Sequence, residues 1–112
     1  KVSRPNEDKS SIEFQAAIMH HLAASEISLE LPKPIPAKNG QDFVELENGR
    51  FLRLQNWVGG RMLAEVNPRS ASVLENWGKT VGLLSRSLVG FDHPSAHRFY
   101  KWNPSEARDL RH

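Results

Sequence analysis

The chain has 112 residues, 38% of them hydrophobic, a formal net charge of +2 and no cysteine. That is the size of one small domain, of marginal stability because a short chain buries a small share of its surface, and it excludes disulfides, thiolate metal sites and a cysteine nucleophile. No apolar run approaches the roughly 18 residues of a membrane helix and residues 1–8 hold no signal-peptide stretch, so the composition fits a cytoplasmic protein with no membrane partner.

Val2-Ser3 reads as the end of a strand stopped by Pro5. A helix is expected from Ser10 to about Ala24, with Ser10-x-x-Glu13 as a capping box and Phe14, Ala17, Ile18, Met19 and Leu22 as its buried stripe. The prolines at 32, 34 and 36 make Leu31–Pro36 extended, ending at the turn signal Asn39-Gly40. Asp42–Glu47 and Arg50–Trp57 read as an antiparallel hairpin closed by Asn48-Gly49, both residues accepting positive φ. Val44, Leu46, Leu52 and Leu54 alternate with Glu45, Glu47, Arg53 and Gln55, which predicts that the four aliphatic residues face the core. Gly59-Gly60 breaks the strand.

A second helix is expected from Ser72 to Val89, again opened by a capping box, Ser72-x-x-Glu75. Its apolar face is Leu74, Trp77, Val81, Leu84 and Leu88, read as core. Gly90 closes it and Pro94 prevents continuation. A short helix is expected after Asn103, with Pro104 in its first turn.

The chemistry-bearing residues are sparse. The fifteen basic side chains are scattered without aromatic interleaving, so nucleic acid is not an expected partner. His20-His21 point about 100° apart on a helix, and His93-x-x-x-His97 is interrupted by Pro94, so neither pair makes a metal site. There is no G-x-S-x-G elbow and no phosphate loop of either common form. Trp57, just before the glycines, either lines a cleft or caps the core. The residues alone give an α+β domain without an assigned function.

Three stretches together resemble the aminoglycoside phosphotransferase and choline kinase superfamily, nearest its hydroxylysine kinase-like branch. Lys1-Val2-Ser3 and Ile12 to Leu22 are similar to the family's lysine-bearing strand and the helix after it. Phe51-Leu52-Arg53-Leu54-Gln55-Asn56-Trp57-Val58-Gly59-Gly60-Arg61 is similar to its "R-L-x-x-W/Y-x-x-G-R" strand and hinge. Trp77-Gly78-Lys79 through Phe91-Asp92-His93-Pro94, with Phe99 to Asn103 following, is similar to the first helix of the large lobe and the "F-x-H-P" and "F-x-W-N/D" segments.

The resemblance implies a fragment of a protein-kinase-like fold. Residues 1–58 would be part of the small lobe and residues 59–112 the start of the large one. It implies phosphoryl transfer from ATP or GTP, with magnesium, to a small hydroxylated or amino-alcohol metabolite. Lys1 would contact the α- and β-phosphates and Glu13 would orient it, unless Gln15 holds that position. Gln55, Asn56, Trp57 and Val58 would form the adenine-binding hinge. The glycine-rich strand pair and the H-G-D-x-x-x-x-N loop of the family are not in this sequence. None of Asp8, Asp42, Asp92 and Asp109 sits in a D-F-D or D-F-G context. The chain alone is therefore expected to be inactive, a piece of a longer phosphotransferase or a non-catalytic kinase-like module. Such modules also occur fused to class III aminotransferases, which would bring pyridoxal phosphate. An unrelated small interaction domain is the remaining alternative. A fragment is expected to leave a sheet edge unpaired and to form a homodimer through it.

Overall fold

The structure is a computed structural model that describes residues 1–99 and 103. The short helix expected after Asn103, with Tyr100 and Trp102 before it, lies outside the described residues. The architecture is α+β, with two helices and short antiparallel strands. Helix α1 (Lys9–Ala24) is followed by β1 (Pro34–Ile35), β2 (Val44–Glu45), β3 (Phe51–Leu52) and β4 (Leu54–Gln55). A 3₁₀ turn (Leu63–Glu65), helix α2 (Ala71–Ser87) and a second 3₁₀ turn (Pro94–His97) complete it.

Helix α1 starts one residue earlier than expected, and its cap is Asp8. The Asp8 carboxylate accepts from Ser10 N at 3.0 Å and from the Ser10 hydroxyl at 2.8 Å. Asp8 supplies a charged acceptor two residues before Ser10, so the first free N–H groups are satisfied there. Glu13 instead pairs with Lys9, 3.6 Å away and one turn back. At the far end Ser25 closes the helix, its N–H bonding to the carbonyls of His21 and Leu22 and its hydroxyl to that of Leu22.

Residues 51–55 are the central strand. On one side β2 pairs with β3 and β1 with β4, with Val44 opposite Leu52 and Ile35 opposite Leu54. On the other side Val2 bridges Leu52. Arg53 N donates to Lys1 O at 3.0 Å, and Ser3 N to Phe51 O at 2.9 Å. Among the described residues Lys1–Ser3 is the outer strand on that side. The hairpin loop has three residues, Glu47-Asn48-Gly49, because Leu46 N already bonds Arg50 O. Only Gly49 has positive φ, 71°. Asn48 instead accepts Arg50 N through its side chain at 3.2 Å. One left-handed glycine after a turn serves a three-residue loop, where two would serve a two-residue one.

The ladder turns the opposite face to α1 from the one the alternation predicted. Paired residues share a face, so Val2, Ile35, Val44, Leu52 and Leu54 lie together, and all are exposed, Leu54 at 60%. Phe51, on the other face, is 5% exposed and meets Phe43 edge-on at 5.5 Å between ring centroids. Alternation identifies two faces without saying which one a helix covers. The larger aromatic side chains decide it, because they bury more apolar area. The core is small: Ile12, Ala16, Leu22 and Phe51.

Helix α2 begins at Ala71, capped by the Ser70 hydroxyl accepting from Val73 N at 3.3 Å. Gly90 follows it with φ 82°, as its C-terminal role requires. The apolar stripe is not core among the described residues. None of α2 is buried, and Trp77 is 55% exposed. Helical periodicity reports an apolar face, and here α2 is tied to α1 at its C-terminal end, where His21 Nε2 donates to Ser87 O at 2.8 Å.

The face assignment is testable by urea denaturation. Phe51→Ala should cost about 3 kcal/mol, and Leu54→Ala less than about 1 kcal/mol. Equal costs would contradict the inward placement of Phe51.

Candidate functional site

The face of the ladder turned toward α1 carries Lys1, Ser3, Phe51, Arg53 and Gln55. Between it and the helix runs a cleft of about 370 Å³ whose lining includes Lys1, Arg4, Glu7, Gln15, Arg53 and Arg98. A second, smaller hollow of about 260 Å³ shares Lys1, Gln15 and Arg53 and adds Ile18, Met19 and Gln55. Lys1 and Gln55, both expected at the site, are thus brought to one groove, although they stand 54 positions apart in sequence.

Four side-chain cations, Lys1, Arg4, Arg53 and Arg98, face one carboxylate, Glu7, in the main cleft. The side-chain nitrogens of Lys1, Arg4 and Arg53 have no hydrogen-bond or ion-pair partner among the described residues. Their charges are held near one another by backbone bonds instead. Arg53 N donates to Lys1 O, and Lys1 N donates to Arg53 O at 2.7 Å. A concave surface with a net excess of positive charge attracts an anion with several oxygens.

Arg98 arrives from the other end of the chain. Its guanidinium lies 5.9 Å from the centre of the Phe14 ring, a cation–π distance. The turn that carries it is fastened to α1. Phe14 stacks on Phe91 at 6.2 Å and meets His93 at 5.3 Å, while His21 meets Phe91 at 4.9 Å. The Ser95 hydroxyl donates to Ser10 O at 3.3 Å. Within the turn, Asp92 accepts from His97 Nε2 at 2.6 Å and from His93 N at 2.9 Å. The His97 bond, followed by the His93 one, holds the Asp92 carboxyl below the usual carboxylate value of 3.8. The two bonds from Ser10 do the same for Asp8.

The other expected site residues lie elsewhere. Glu13 is engaged with Lys9 on the helix surface and lines neither hollow; Gln15, two residues on, lines both of them with Lys1. Two residues along a helix turn a side chain by about 200°, which separates the two positions cleanly. Asn56 is tied to the strand start: its N–H donates to Lys33 O at 3.2 Å, and its side-chain oxygen accepts from Lys33 N. Trp57 neither lines these hollows nor caps the core, being 91% exposed. Val58 is half-buried. Trp57 and Val58 have no backbone hydrogen-bond partner among the described residues, so the Gln55–Val58 stretch leaves ladder pairing at Asn56.

Sequence reasoning missed Arg4, Arg53 and Arg98 as site residues. Arg53 carried a signal, since it lies two residues from Gln55 and so on the same strand face. Arg98 carried none, because only the tertiary docking of its turn brings it to Lys1.

Among the described residues no cluster of three or more His, Asp or Glu side chains is placed to hold a metal ion, and no helix is long and apolar enough to cross a membrane. The sequence profile described as the phosphotransferase enzyme family matches residues 1–112. No curated protein and no solved structure matches the chain.

The two depressed carboxylates set an acid limit on this arrangement. A lowered folded-state pKa means that the stabilisation is fully present above 3.8 and is lost as pH falls through the depressed values. In an acid titration followed by circular dichroism and by carboxyl chemical shifts, wild type should lose the α1 start and the 92–98 turn below that pH. Asp8→Asn, which retains a capping oxygen, should flatten the α1 part of the transition. An unchanged profile in that variant would show that the Asp8 charge contributes nothing there.

Proposed function

The chain belongs to the phosphotransferase enzyme family, and we propose that it forms the nucleotide-facing part of a kinase-like domain. The reaction would be transfer of a phosphoryl group from ATP or GTP to a hydroxyl of a small hydroxylated or amino-alcohol metabolite. The observation that carries this reading is Lys1, whose ammonium is without a partner among the described residues, in a cleft with three arginines. Phosphoryl transfer is catalysed mainly by positioning and charge neutralisation, and a cationic groove of this kind supplies both for a phosphate chain.

In this reading residues 1–58 belong to the small lobe and residues 59–112 open the large one. Lys1 neutralises the α- and β-phosphates. Gln15, rather than Glu13, is the neutral α1 side chain that lines both hollows with Lys1. Asn56 spends its N–H on Lys33, so the adenine edge would fall to the backbone of Trp57 and Val58, with the exposed Trp57 indole available to pack on the ring. Gln55 lines the hollow that joins the hinge to Lys1.

The chain holds no H-G-D-x-x-x-x-N segment, and no general base or metal carboxylate is assigned among its residues.

Calorimetric titration with ATP and with adenosine tests the reading. Lys1→Ala should weaken ATP binding by about tenfold, about 1.4 kcal/mol, and leave adenosine binding unchanged. Equal ATP affinity in wild type and Lys1→Ala would remove the phosphate role of Lys1 and with it this function.

A further inference from the structure

The cationic cleft is assembled from both ends of the chain, and this carries a further assignment. Lys1 and Arg4 come from the outer strand and the turn after it, Arg53 from the central strand, and Arg98 from the turn after α2. These positions converge although Arg98 and Lys1 are almost a chain length apart in sequence. Each guanidinium offers paired N–H donors suited to phosphate oxygens. Glu7 lines the cleft and Asp8, outside the lining, acts electrostatically on Arg98, so the four cations still outnumber the described carboxylates near them, which is unfavourable without a further counter-charge.

We propose that Arg98, with Arg4, completes an anion subsite beside Lys1 and Arg53 that takes a di- or triphosphate chain, so that ligand binding ties the 94–98 turn to the outer strand. The assignment rests on the nucleotide reading above and adds two residues to it. Arg98 is a binding residue by position, lining the cleft with its guanidinium seated over Phe14. The Ser95–Ser10 hydrogen bond and the Phe14–Phe91 stack hold the turn close enough for an oxyanion to bridge it to the ladder. Glu7 repels the same anion and limits how deeply it sits along that wall.

The test uses inorganic tripolyphosphate, ATP and adenosine as probes in calorimetric titrations of wild type, Arg98→Gln, Arg4→Gln, Arg98→Lys and Lys1→Ala. Arg98→Gln and Arg4→Gln should each weaken tripolyphosphate and ATP by about tenfold and by the same factor, with adenosine unchanged. Arg98→Lys should recover part of the loss. Tripolyphosphate should also slow amide hydrogen exchange over residues 94–98 in wild type and fail to do so in Arg98→Gln. If Arg98→Gln disturbs the turn, seen as lost helicity or a lowered melting temperature, Arg4→Gln decides. Wild-type tripolyphosphate affinity in Arg4→Gln and Arg98→Gln overturns the assignment. If Lys1→Ala still loses ATP in that case, only the arginine subsite falls; if it does not, the nucleotide reading falls as well.

Discussion

Helix α1 is the surface on which the rest of the described chain assembles. It supplies Ile12, Ala16 and Leu22 to a core that, among the described residues, is completed by Phe51. The same helix offers Phe14 and His21 to the aromatic contacts that hold Phe91 and His93, and Ser10 to the bond from Ser95. A core of this size gives little hydrophobic stabilisation on its own. The aromatic contacts therefore matter more here than in a larger domain, since they add area and orientation where aliphatic packing is thin.

The character of the cleft follows from that arrangement. Once Phe51 is drawn toward α1, strand alternation sends Arg53 and Gln55 to the same side, and cross-strand pairing sends Lys1 with them. The polar, cationic half of the ladder is consequently the half that faces the helix, and the aliphatic half faces out. Gln15 is the α1 side chain that lines both hollows with Lys1, and being neutral it leaves the lysine charge uncompensated. The electrostatics of the site are thus fixed by one aromatic residue's burial together with the period of the strand.

The two helices, the hairpin and the glycine after α2 could be read from the sequence because each has a local cause: caps, 3.6-residue spacing, a turn glycine. The caps themselves were misplaced by two residues at both helices, at Asp8 instead of Ser10 and at Ser70 instead of Ser72. Serines and acids cluster at both starts, and the choice among them is made by which backbone N–H is left free. The inward face of the ladder was not legible, because Val44, Leu46, Leu52 and Leu54 satisfy the alternation rule as well as Phe43 and Phe51 do. Of the site, Lys1 and Gln55 were found through family resemblance and Gln15 was open as an alternative to Glu13. Arg4 and Arg98 were hidden, since a scattered charge in sequence becomes a cluster only after docking.

Helix α2 shows how far the cleft is independent of the remaining apolar surface. Its stripe of Leu74, Trp77 and Val81 is exposed, an apolar face whose burial would be favourable. Its recorded tie to α1 is at the C-terminal end, through His21 and the Ser87 carbonyl. The cleft on the other side is bounded by the outer strand, α1, Arg53 and the 92–98 turn, none of which needs the α2 stripe for its position. Covering that stripe would add stability through α2 while leaving the charges around Lys1 where α1 and the ladder already hold them.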